Sequence, residues 1–356
     1  MRDRLERLRK LLAEAKLPAL LVSHPVNVAY LSGFTGTYGL LLVTEERDWL
    51  LTDFRYLEQA RSQVTGPEVL DIGPQAWRQV VELLVAGGVP QLAVEADHLT
   101  VDAFGRLEGA LSGKATLLPV TSPVARLRQV KDEDELLKIA AAVALADEAF
   151  AHILGFMEPG RREQEVALEL ERYMRERGAR GVAFEVIVAS GPRSAMPHGV
   201  AGEKKLAAGE AVVLDFGCVL DGYCSDLSRT VFLGQVTEEQ SYIYQAVLAA
   251  QECALQGLRA GLGGREADAL ARNRLTDLGL GEFFGHGLGH GLGREVHEAP
   301  RLRTEAGEVL EPGMVVTVEP GVYLAGRFGV RIEDVVVIEA EGCRNLTGSD
   351  KKLMCI

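Results

Sequence analysis

The sequence predicts an α+β protein in which a small α/β domain precedes a larger domain built from two similar halves. Three observations lead to this prediction. Apolar strand-like runs alternate with helical stretches up to about residue 120, a charged segment with Pro123 follows, and the order helix, helix, strands then occurs twice. A length of 356 residues suits two domains. We place the domains at 1–122 and 133–356, with a linker over 123–132.

The N-terminal domain is predicted from short apolar runs and from helical spacing. Leucines at 5, 8, 11 and 12 are spaced for one face of a helix. Strands are predicted over 19–22, 40–43 and 49–52, and helices near 54–64 and 75–86. The run over 40–43 is uniformly apolar, which is typical of a strand covered on both faces. These elements indicate a compact α/β domain.

The larger domain is predicted from a repeated order of elements. Helices near 132–157 and 162–177 precede the strand-rich residues 184–233, and helices near 237–260 and 265–278 precede a second strand-rich stretch from 282. The segment Arg162-Glu-Gln-Glu-Val-Ala is echoed by Arg265-Glu-Ala-Asp-Ala-Leu. We interpret this order as an internal pseudo-two-fold repeat with a site between its halves.

Composition disfavours several classes of partner. The net charge of −13 argues against a nucleic acid or an anionic membrane surface, because both require a basic face. No apolar run approaches the ~18 residues of a membrane span, and the charged N-terminus lacks the apolar core of a secretory signal. Five cysteines without a CxxC pair argue against a disulfide framework or a thiolate zinc site. We therefore expect a soluble protein of the cytoplasm.

The first candidate site is a hairpin that carries two acidic residues. Asp221-Gly222 between two apolar runs predicts a tight turn in which Leu220 faces Tyr223. In that register Asp215 and Asp226 lie on one face of the sheet, diagonally across the ladder, with Cα atoms roughly 7–8 Å apart. Two like charges that close in an interior are unfavourable unless a cation lies between them. This hairpin alone fits two solvated surface carboxylates equally well.

A second hairpin changes that balance. A loop centred near Gly326 places Glu319 opposite Glu333, again on one face. Both acids interrupt strongly apolar strands, where a buried carboxylate needs a partner. Because paired inward acids occur in both halves of a repeated domain, we favour a shared cation site over two exposed hairpins.

A segment rich in glycine and histidine lies between the two hairpins. Residues 283–298 contain His286, His290 and His297, and five glycines lie between 285 and 293. These glycines disfavour a helix and suit a backbone packed against a cofactor or substrate. Their spacing is not G-x-G-x-x-G, and the chain has no P-loop, no G-x-S-x-G elbow and no zincin motif. A single histidine here could be structural, but three in twelve residues favour a site.

The candidate ligands are rich in oxygen donors and include no thiolate. Four carboxylates with one or two histidines suit Mn²⁺, Co²⁺ or Fe²⁺, and also admit Zn²⁺. The set matches a two-metal site whose ions lie roughly 3.5–4 Å apart. We therefore expect two divalent ions, Mn²⁺ or Co²⁺ before Fe²⁺ or Zn²⁺.

The residues resemble those of the pita-bread metallopeptidases, the family of methionine aminopeptidase, aminopeptidase P and prolidase. The match lies in Asp215 of LDFG, Asp226 of SDLSRT, His290 of GHGLGHGLG, Glu319 of VEPG and Glu333 of GVRIED. The resemblance covers residues from about 130 to the end. The N-terminal domain resembles the creatinase-type domain that methionine aminopeptidase generally lacks. The resemblance implies that Asp215 binds one ion, that His290 and Glu319 bind the other, and that Asp226 and Glu333 bridge both.

The resemblance also implies roles for the residues around these ligands. His198 of Met-Pro-His-Gly matches a substrate-binding histidine, and His297 matches one that contacts the scissile carbonyl. His286 takes the position of a pocket residue outside the ligand set, and Arg331 is expected to steady the nearby carboxylates. The expected reaction is attack of a hydroxide on the carbonyl before proline. Glu319 is the expected proton shuttle to the leaving nitrogen.

The expected activity is therefore hydrolysis of the Xaa-Pro bond with release of the N-terminal residue. Arg301 resembles an arginine with which prolidases hold the free carboxylate of a dipeptide, which favours an Xaa-Pro dipeptidase. Arg303 competes for this match, and an exposed loop arginine is the other interpretation. The alternatives are aminopeptidase P acting on longer peptides, a metal-free creatinase-like amidinohydrolase and a non-catalytic binding protein. The complete ligand set argues against the last two. A homodimer is expected, in which Asn27 to Phe34 is a candidate for covering the partner's site.

Overall fold

A computed structural model describes residues 2–73 and 76–356. The chain divides into two compact units, Met1–Arg128 and Gln129–Ile356. The boundary falls within the stretch 123–132 that the sequence suggested as a linker. The helix expected over 75–86 begins at Gln75, which lies outside the described residues, and is present over Ala76–Ala86. Within the described ranges, no helix is both long and apolar enough to cross a membrane.

The first unit is a six-stranded mixed sheet with helices. Its helices are α1 Arg2–Glu14, α2 Pro25–Ser32, α3 Leu57–Gln63, α4 Ala76–Ala86, α5 Val101–Leu111 and α6 Pro123–Gln129. Its strands are β1 Ala19–Val22, β2 Leu40–Thr44, β3 Asp48–Thr52, β4 Glu68–Asp71, β5 Gln91–Glu95 and β6 Thr116–Val120. The strand order is β4-β3-β2-β1-β5-β6. The predicted α/β character of this part of the chain is confirmed.

Two sequence patterns explain the core of this unit. Leu41 and Val43 of β2 pack in one apolar cluster and Leu42 in another, so the strand is buried on both faces as predicted. Three of the four spaced leucines of α1, at 5, 8 and 12, are buried in the first of these clusters. The helical spacing therefore indicates the buried face of α1 correctly.

Residues 123–129 of the stretch that the sequence suggested as a linker form helix α6. Pro123 is the first residue of α6, a position where its missing N–H removes no intrahelical hydrogen bond. Val124 and Leu127 are buried in the core of the first unit. Part of the predicted linker is therefore helical.

The second unit repeats the order of a helix pair followed by strands. Its helices are α7 Glu133–Leu154, α8 Glu163–Glu176, α9 Glu238–Gly257 and α10 Gly264–Asp277, with short 3₁₀ turns at Gly191–Ala195 and Gly281–Phe283. The strands of the first half are β7 Gly181–Val182, β8 Ile187–Ser190, β9 Ala211–Phe216, β10 Cys218–Leu220, β11 Tyr223–Cys224 and β12 Leu227–Phe232. Those that follow are β13 Gly289–Gly291, β14 Glu298–Leu302, β15 Val315–Val318, β16 Gly321–Leu324, β17 Phe328–Arg331, β18 Asp334–Ile338, β19 Cys343–Asn345 and β20 Met354–Cys355.

The larger sheets of this unit have the orders β20-β12-β9-β8 and β14-β13-β15-β18-β19. Capping boxes begin the first helix of each half, because Asp132 accepts from the backbone of Glu135 and Thr237 accepts from that of Gln240. The repeated order of helix pair and sheet that the sequence predicted is present.

Both predicted hairpin registers are confirmed. Leu220 pairs with Tyr223 across a turn whose two central residues have φ values of 49° and 79°, as a two-residue hairpin turn requires. In the second hairpin Val318 pairs with Asp334, and the same register continues through β16 and β17. This register places Glu319 opposite Glu333.

Candidate metal centre

The site residues predicted from the sequence line one cavity of the second unit. Its volume is about 620 Å³. All ten predicted site residues line it: His198, Asp215, Asp226, His286, His290, His297, Arg301, Glu319, Arg331 and Glu333. Because these residues span more than a hundred positions of the chain, the fold brings together groups that no local segment could assemble.

The two hairpins and the glycine-rich strand β13 meet at the centre of this cavity. Asp226, His290 and Glu333 are buried, and one ligand atom from each lies within 4.8 Å of the others. The Nε2 atom of His290 also lies 3.3 Å from Oε1 of Glu319. Asp215 is outside the group of three, and its carboxylate is bound by the guanidinium of Arg331.

The imidazole of His290 is oriented by its own backbone. Its Nδ1 lies 3.1 Å from the carbonyl of Gly291, and since a carbonyl only accepts, Nδ1 carries the proton. The lone pair of Nε2 is therefore directed at the carboxylates, which is the arrangement of a metal-binding histidine. The backbone N–H of His290 donates to Oγ1 of Thr317 at 3.0 Å, and that hydroxyl donates to Glu319 at 3.2 Å.

The glycines beside His290 have a steric cause. A Cβ at Gly289 would overlap the carbonyl oxygen of Thr317, and a Cβ at Gly291 would overlap that of Ala299. Strand β13 therefore lies against backbone on both sides of His290. The glycine pattern follows from this close approach of neighbouring strands.

The electrostatics of the buried acids indicate that a cation belongs among them. Burial, followed by the charges of neighbouring carboxylates, raises the pKa of Asp226 and of Glu333 well above the usual range. Oε1 of Glu333 is buried, and it has no hydrogen-bond partner in the described part of the chain. A divalent cation here would satisfy that oxygen and favour ionised carboxylates. Carboxylates with one imidazole fit Mn²⁺, Co²⁺, Fe²⁺ or Zn²⁺.

Arg331 connects one carboxylate of the site to the surrounding side chains. Besides Asp215, its guanidinium donates to Oγ of Ser228 at 2.8 Å, to the carbonyl of Pro197 at 3.1 Å and to the hydroxyl of Tyr323 at 2.9 Å. Burial raises the pKa of Asp215, and the charge of Arg331 opposes that rise. The contact with Pro197 also fixes the backbone just before His198.

His286 is hydrogen-bonded to Gly287 and Tyr323. Its Nδ1 donates to the carbonyl of Gly287 at 2.8 Å, so its Nε2 accepts from the hydroxyl of Tyr323 at 2.9 Å. Burial lowers the pKa of His286. The side chain therefore contacts the Arg331 network and not the group of three candidate ligands.

His297 contacts the candidate metal-binding histidine directly. Its ring centroid lies 4.4 Å from that of His290 in an edge-on arrangement. Burial, then the charges of His290 and Arg301, lowers the pKa of His297 to about 4. At neutral pH its imidazole is therefore uncharged and still carries an N–H that can donate to an oxygen in the cavity.

The sequence did not indicate three polar residues of the site. Thr317, Ser228 and Tyr323 each bind a predicted site residue. For Thr317 a sequence signal exists, because it interrupts an apolar strand two residues before Glu319 and so shares its face. Tyr323 and Ser228 carry no comparable signal, since their partners lie on other elements.

Comparisons with known proteins agree with this geometry. The family model described as metallopeptidase family M24 matches residues 137–340, and that of the creatinase/prolidase N-terminal domain matches residues 4–130. The solved structure of an Xaa-Pro dipeptidase from Bacillus anthracis has a TM-score of 0.97 and 43% identity, and the match covers 99% of each chain. The structure of an X-Pro aminopeptidase from Thermotoga maritima MSB8 has a TM-score of 0.89 and 37% identity, and covers 95% of this chain and 97% of that one.

A sequence relative also matches the chain along nearly its whole length. The Xaa-Pro dipeptidase of Pyrococcus furiosus is 34% identical, over 99% of this chain and all of its own length. These findings confirm the predicted family and the pita-bread fold with its creatinase-type N-terminal domain. The chain belongs to metallopeptidase family M24 and carries a creatinase/prolidase N-terminal domain.

Proposed function

We propose that this peptidase is an Xaa-Pro dipeptidase that releases the N-terminal residue from dipeptides ending in proline. The similarity to Xaa-Pro dipeptidases from Bacillus anthracis and Pyrococcus furiosus supports cleavage of the Xaa-Pro bond. The observation that carries the dipeptide preference is Arg301. It lines the cavity of the candidate ligands and forms no ion pair with any residue that the structure describes. Such a guanidinium suits the free carboxylate of a dipeptide.

We propose that the site holds two divalent ions, Mn²⁺ or Co²⁺ first. Asp215 would bind one ion, His290 and Glu319 the other, and Asp226 and Glu333 both. The short distances among the donor atoms of Asp226, His290 and Glu333, the contact of His290 with Glu319 and the unpartnered oxygen of Glu333 support the assignment. When bound, such ions supply Lewis-acid polarisation and lower the pKa of a water.

The protein's own residues then have distinct tasks. Glu319 lies at the edge of the ligand group, where its carboxylate can take a proton from water and pass it to the proline nitrogen. His297, neutral at pH 7, donates its N–H to the oxygen of the scissile carbonyl as negative charge develops there. His198 binds the substrate beside the reacting carbonyl, on backbone that Arg331 holds.

The proposal is tested by hydrolysis of Ala-Pro and Ala-Pro-Ala side by side. The protein is stripped with chelator and reconstituted with Mn²⁺ or Co²⁺. Metal-dependent cleavage of the dipeptide alone is the expected result. Cleavage mainly of the tripeptide would make the protein an Xaa-Pro aminopeptidase, the second candidate, which the similarity to the Thermotoga maritima enzyme favours. No cleavage of either peptide with any metal would overturn both.

The role of Glu319 is tested by substitution. Glu319→Ala should abolish turnover, because it removes a ligand and the proton shuttle together. Appreciable turnover by a folded, metal-loaded Glu319→Ala protein would refute the assignment.

We further propose a cytoplasmic homodimer. The family resemblance implies the dimer, and five free thiols are consistent with a reducing compartment. Sedimentation equilibrium tests the oligomeric state.

A further inference from the structure

Two arginines at the end of strand β14 line the candidate catalytic cavity. Arg301 and Arg303 are two residues apart, and Leu302 between them is fully buried in the core. Arg301 lies in β14 and Arg303 is the first residue after it, and neither side chain belongs to the core that buries Leu302. Both line the cavity that contains His290 and the candidate carboxylate ligands.

The backbone that carries this pair is held on both sides. A Cβ at Gly264, where α10 begins, would overlap the carbonyl oxygen of Arg301. A Cβ at Gly287 would lie 2.7 Å from the carbonyl oxygen of Leu302 and 2.9 Å from Cβ of Arg303. These close contacts leave the backbone under both arginines little freedom. The two side chains therefore extend from a backbone that is held in place, which lowers the entropy lost when their guanidinium groups bind.

The two arginines differ from many other arginines of the chain in their charge pairing. Across the described residues, neither Arg301 nor Arg303 forms an ion pair, whereas many other arginines do. The chain as a whole carries a net charge of −13, so acidic partners are abundant elsewhere. Two cations without an ion-pair partner in the lining of one cavity attract an anion. A carboxylate is matched by guanidinium groups because each can donate two parallel N–H bonds.

We propose that Arg303 joins Arg301 in a two-arginine site for the free C-terminal carboxylate of the substrate, and so determines the preference for dipeptides. This inference rests on the proposed Xaa-Pro dipeptidase activity. Arg301 lies nearer the reacting centre, since its charge acts on His297. Arg303 is the more exposed of the two, so it contacts the carboxylate from the mouth of the cavity. A longer peptide, which has an amide at this position, gains nothing from the second arginine.

The test compares Ala-Pro with Ala-Pro-amide, which differ only in the carboxylate, using the Mn²⁺-loaded enzyme. Where the amide is not hydrolysed, its inhibition constant against Ala-Pro hydrolysis takes the place of its KM. Arg303→Met should raise KM for Ala-Pro about tenfold, the lower end for a charge-assisted hydrogen bond. It should leave kcat within about twofold and leave KM for the amide unchanged, and Arg303→Lys should recover part of the loss. The matched control is Arg344→Met, which removes an exposed arginine from β19, at the opposite edge of the same sheet.

Two outcomes would overturn the inference while the dipeptidase stands. One is an equal rise in KM for the acid and the amide, and the other is no rise for either. If the wild-type enzyme does not hydrolyse Ala-Pro at all, the proposed function fails. Titration calorimetry with Ala-Pro and Ala-Pro-amide then tests the two-arginine site by binding alone. A wild-type preference for the acid that Arg303→Met abolishes supports the site, and equal affinities in the wild-type protein overturn it.

Discussion

The ammonium group of Lys131 lies 2.7 Å from the carboxylate of Glu298, and their side chains are only 1% and 9% exposed. Glu298 directly follows His297 in the chain. Lys131 precedes helix α7 and also donates to the carbonyl of Gln129 at 3.2 Å. This buried ion pair therefore ties the beginning of the second unit to the residue next to a predicted substrate-binding histidine.

Lys131→Met should reduce both stability and activity. Glu298 would lose its ammonium partner in a dry environment, and we expect the free energy of unfolding to fall by about 3 kcal/mol. Urea denaturation measures this loss. The double variant Lys131→Met/Glu298→Gln should recover much of the stability, since it removes the charge as well. A single variant as stable as the wild-type protein would contradict the importance of the pair.

Glu333→Gln should stabilise the metal-free protein and abolish its response to metal. The substitution removes a buried carboxylate whose pKa is raised by burial and by neighbouring acids. We expect the metal-free free energy of unfolding at pH 7 to rise by about 1 kcal/mol or more, because the wild-type carboxyl group must be buried as a charge or take up a proton when the protein folds. The rise in Tm caused by Mn²⁺ in the wild-type protein should disappear. Scanning calorimetry with and without Mn²⁺ checks both effects, and the exposed Glu339→Gln is the control.

Gly289→Ala should be far more harmful than Gly285→Ala, four residues earlier in the same segment. At Gly289 a Cβ would overlap the carbonyl oxygen of Thr317, whereas at Gly285 it would meet no heavy atom within 4 Å. We expect Gly289→Ala to lose about 1–3 kcal/mol of stability through overpacking. Its Mn²⁺ affinity should fall ~10-fold or more, because His290 is displaced. Equal effects of the two substitutions in calorimetric titrations would refute the steric explanation.

His297 should make the stability of the folded protein depend on pH, with a sign that follows from its lowered pKa. Its pKa in the folded protein is about 4, lowered by burial and then by His290 and Arg301, whereas an unfolded histidine has a pKa of roughly 6.5. Between these two pKa values the unfolded chain binds more protons than the folded protein, so stability rises with pH. The contribution of His297 to stability is therefore fully present above pH ~6.5 and is lost as the pH falls towards 4. The stability difference between the metal-free wild-type protein and His297→Asn should therefore grow from pH 4.5 to pH 7.5. Urea midpoints at several pH values measure it, and a constant difference would count against the shifted pKa.

The pairing of the candidate carboxylates could be predicted from the sequence because each hairpin is local. The Asp221-Gly222 turn sets the register of one hairpin, and the loop near Gly326 sets that of the other. Alternation of side chains then determines which acids share a face. The predicted pairing of Glu319 with Glu333 needs no knowledge of any other element.

Other features depend on contacts between elements far apart in the chain. Arg331 binds Asp215 across 116 positions, and no sequence period connects them. Pro123 contributed to the prediction of a linker, and burial of Val124 and Leu127 makes its segment a helix. The sequence by itself determined the residue types, turns and strand faces, since these follow from backbone conformation over a few residues. Only the tertiary structure decided that two hairpins and a glycine-rich strand surround one cavity, because packing between distant elements determines which faces meet.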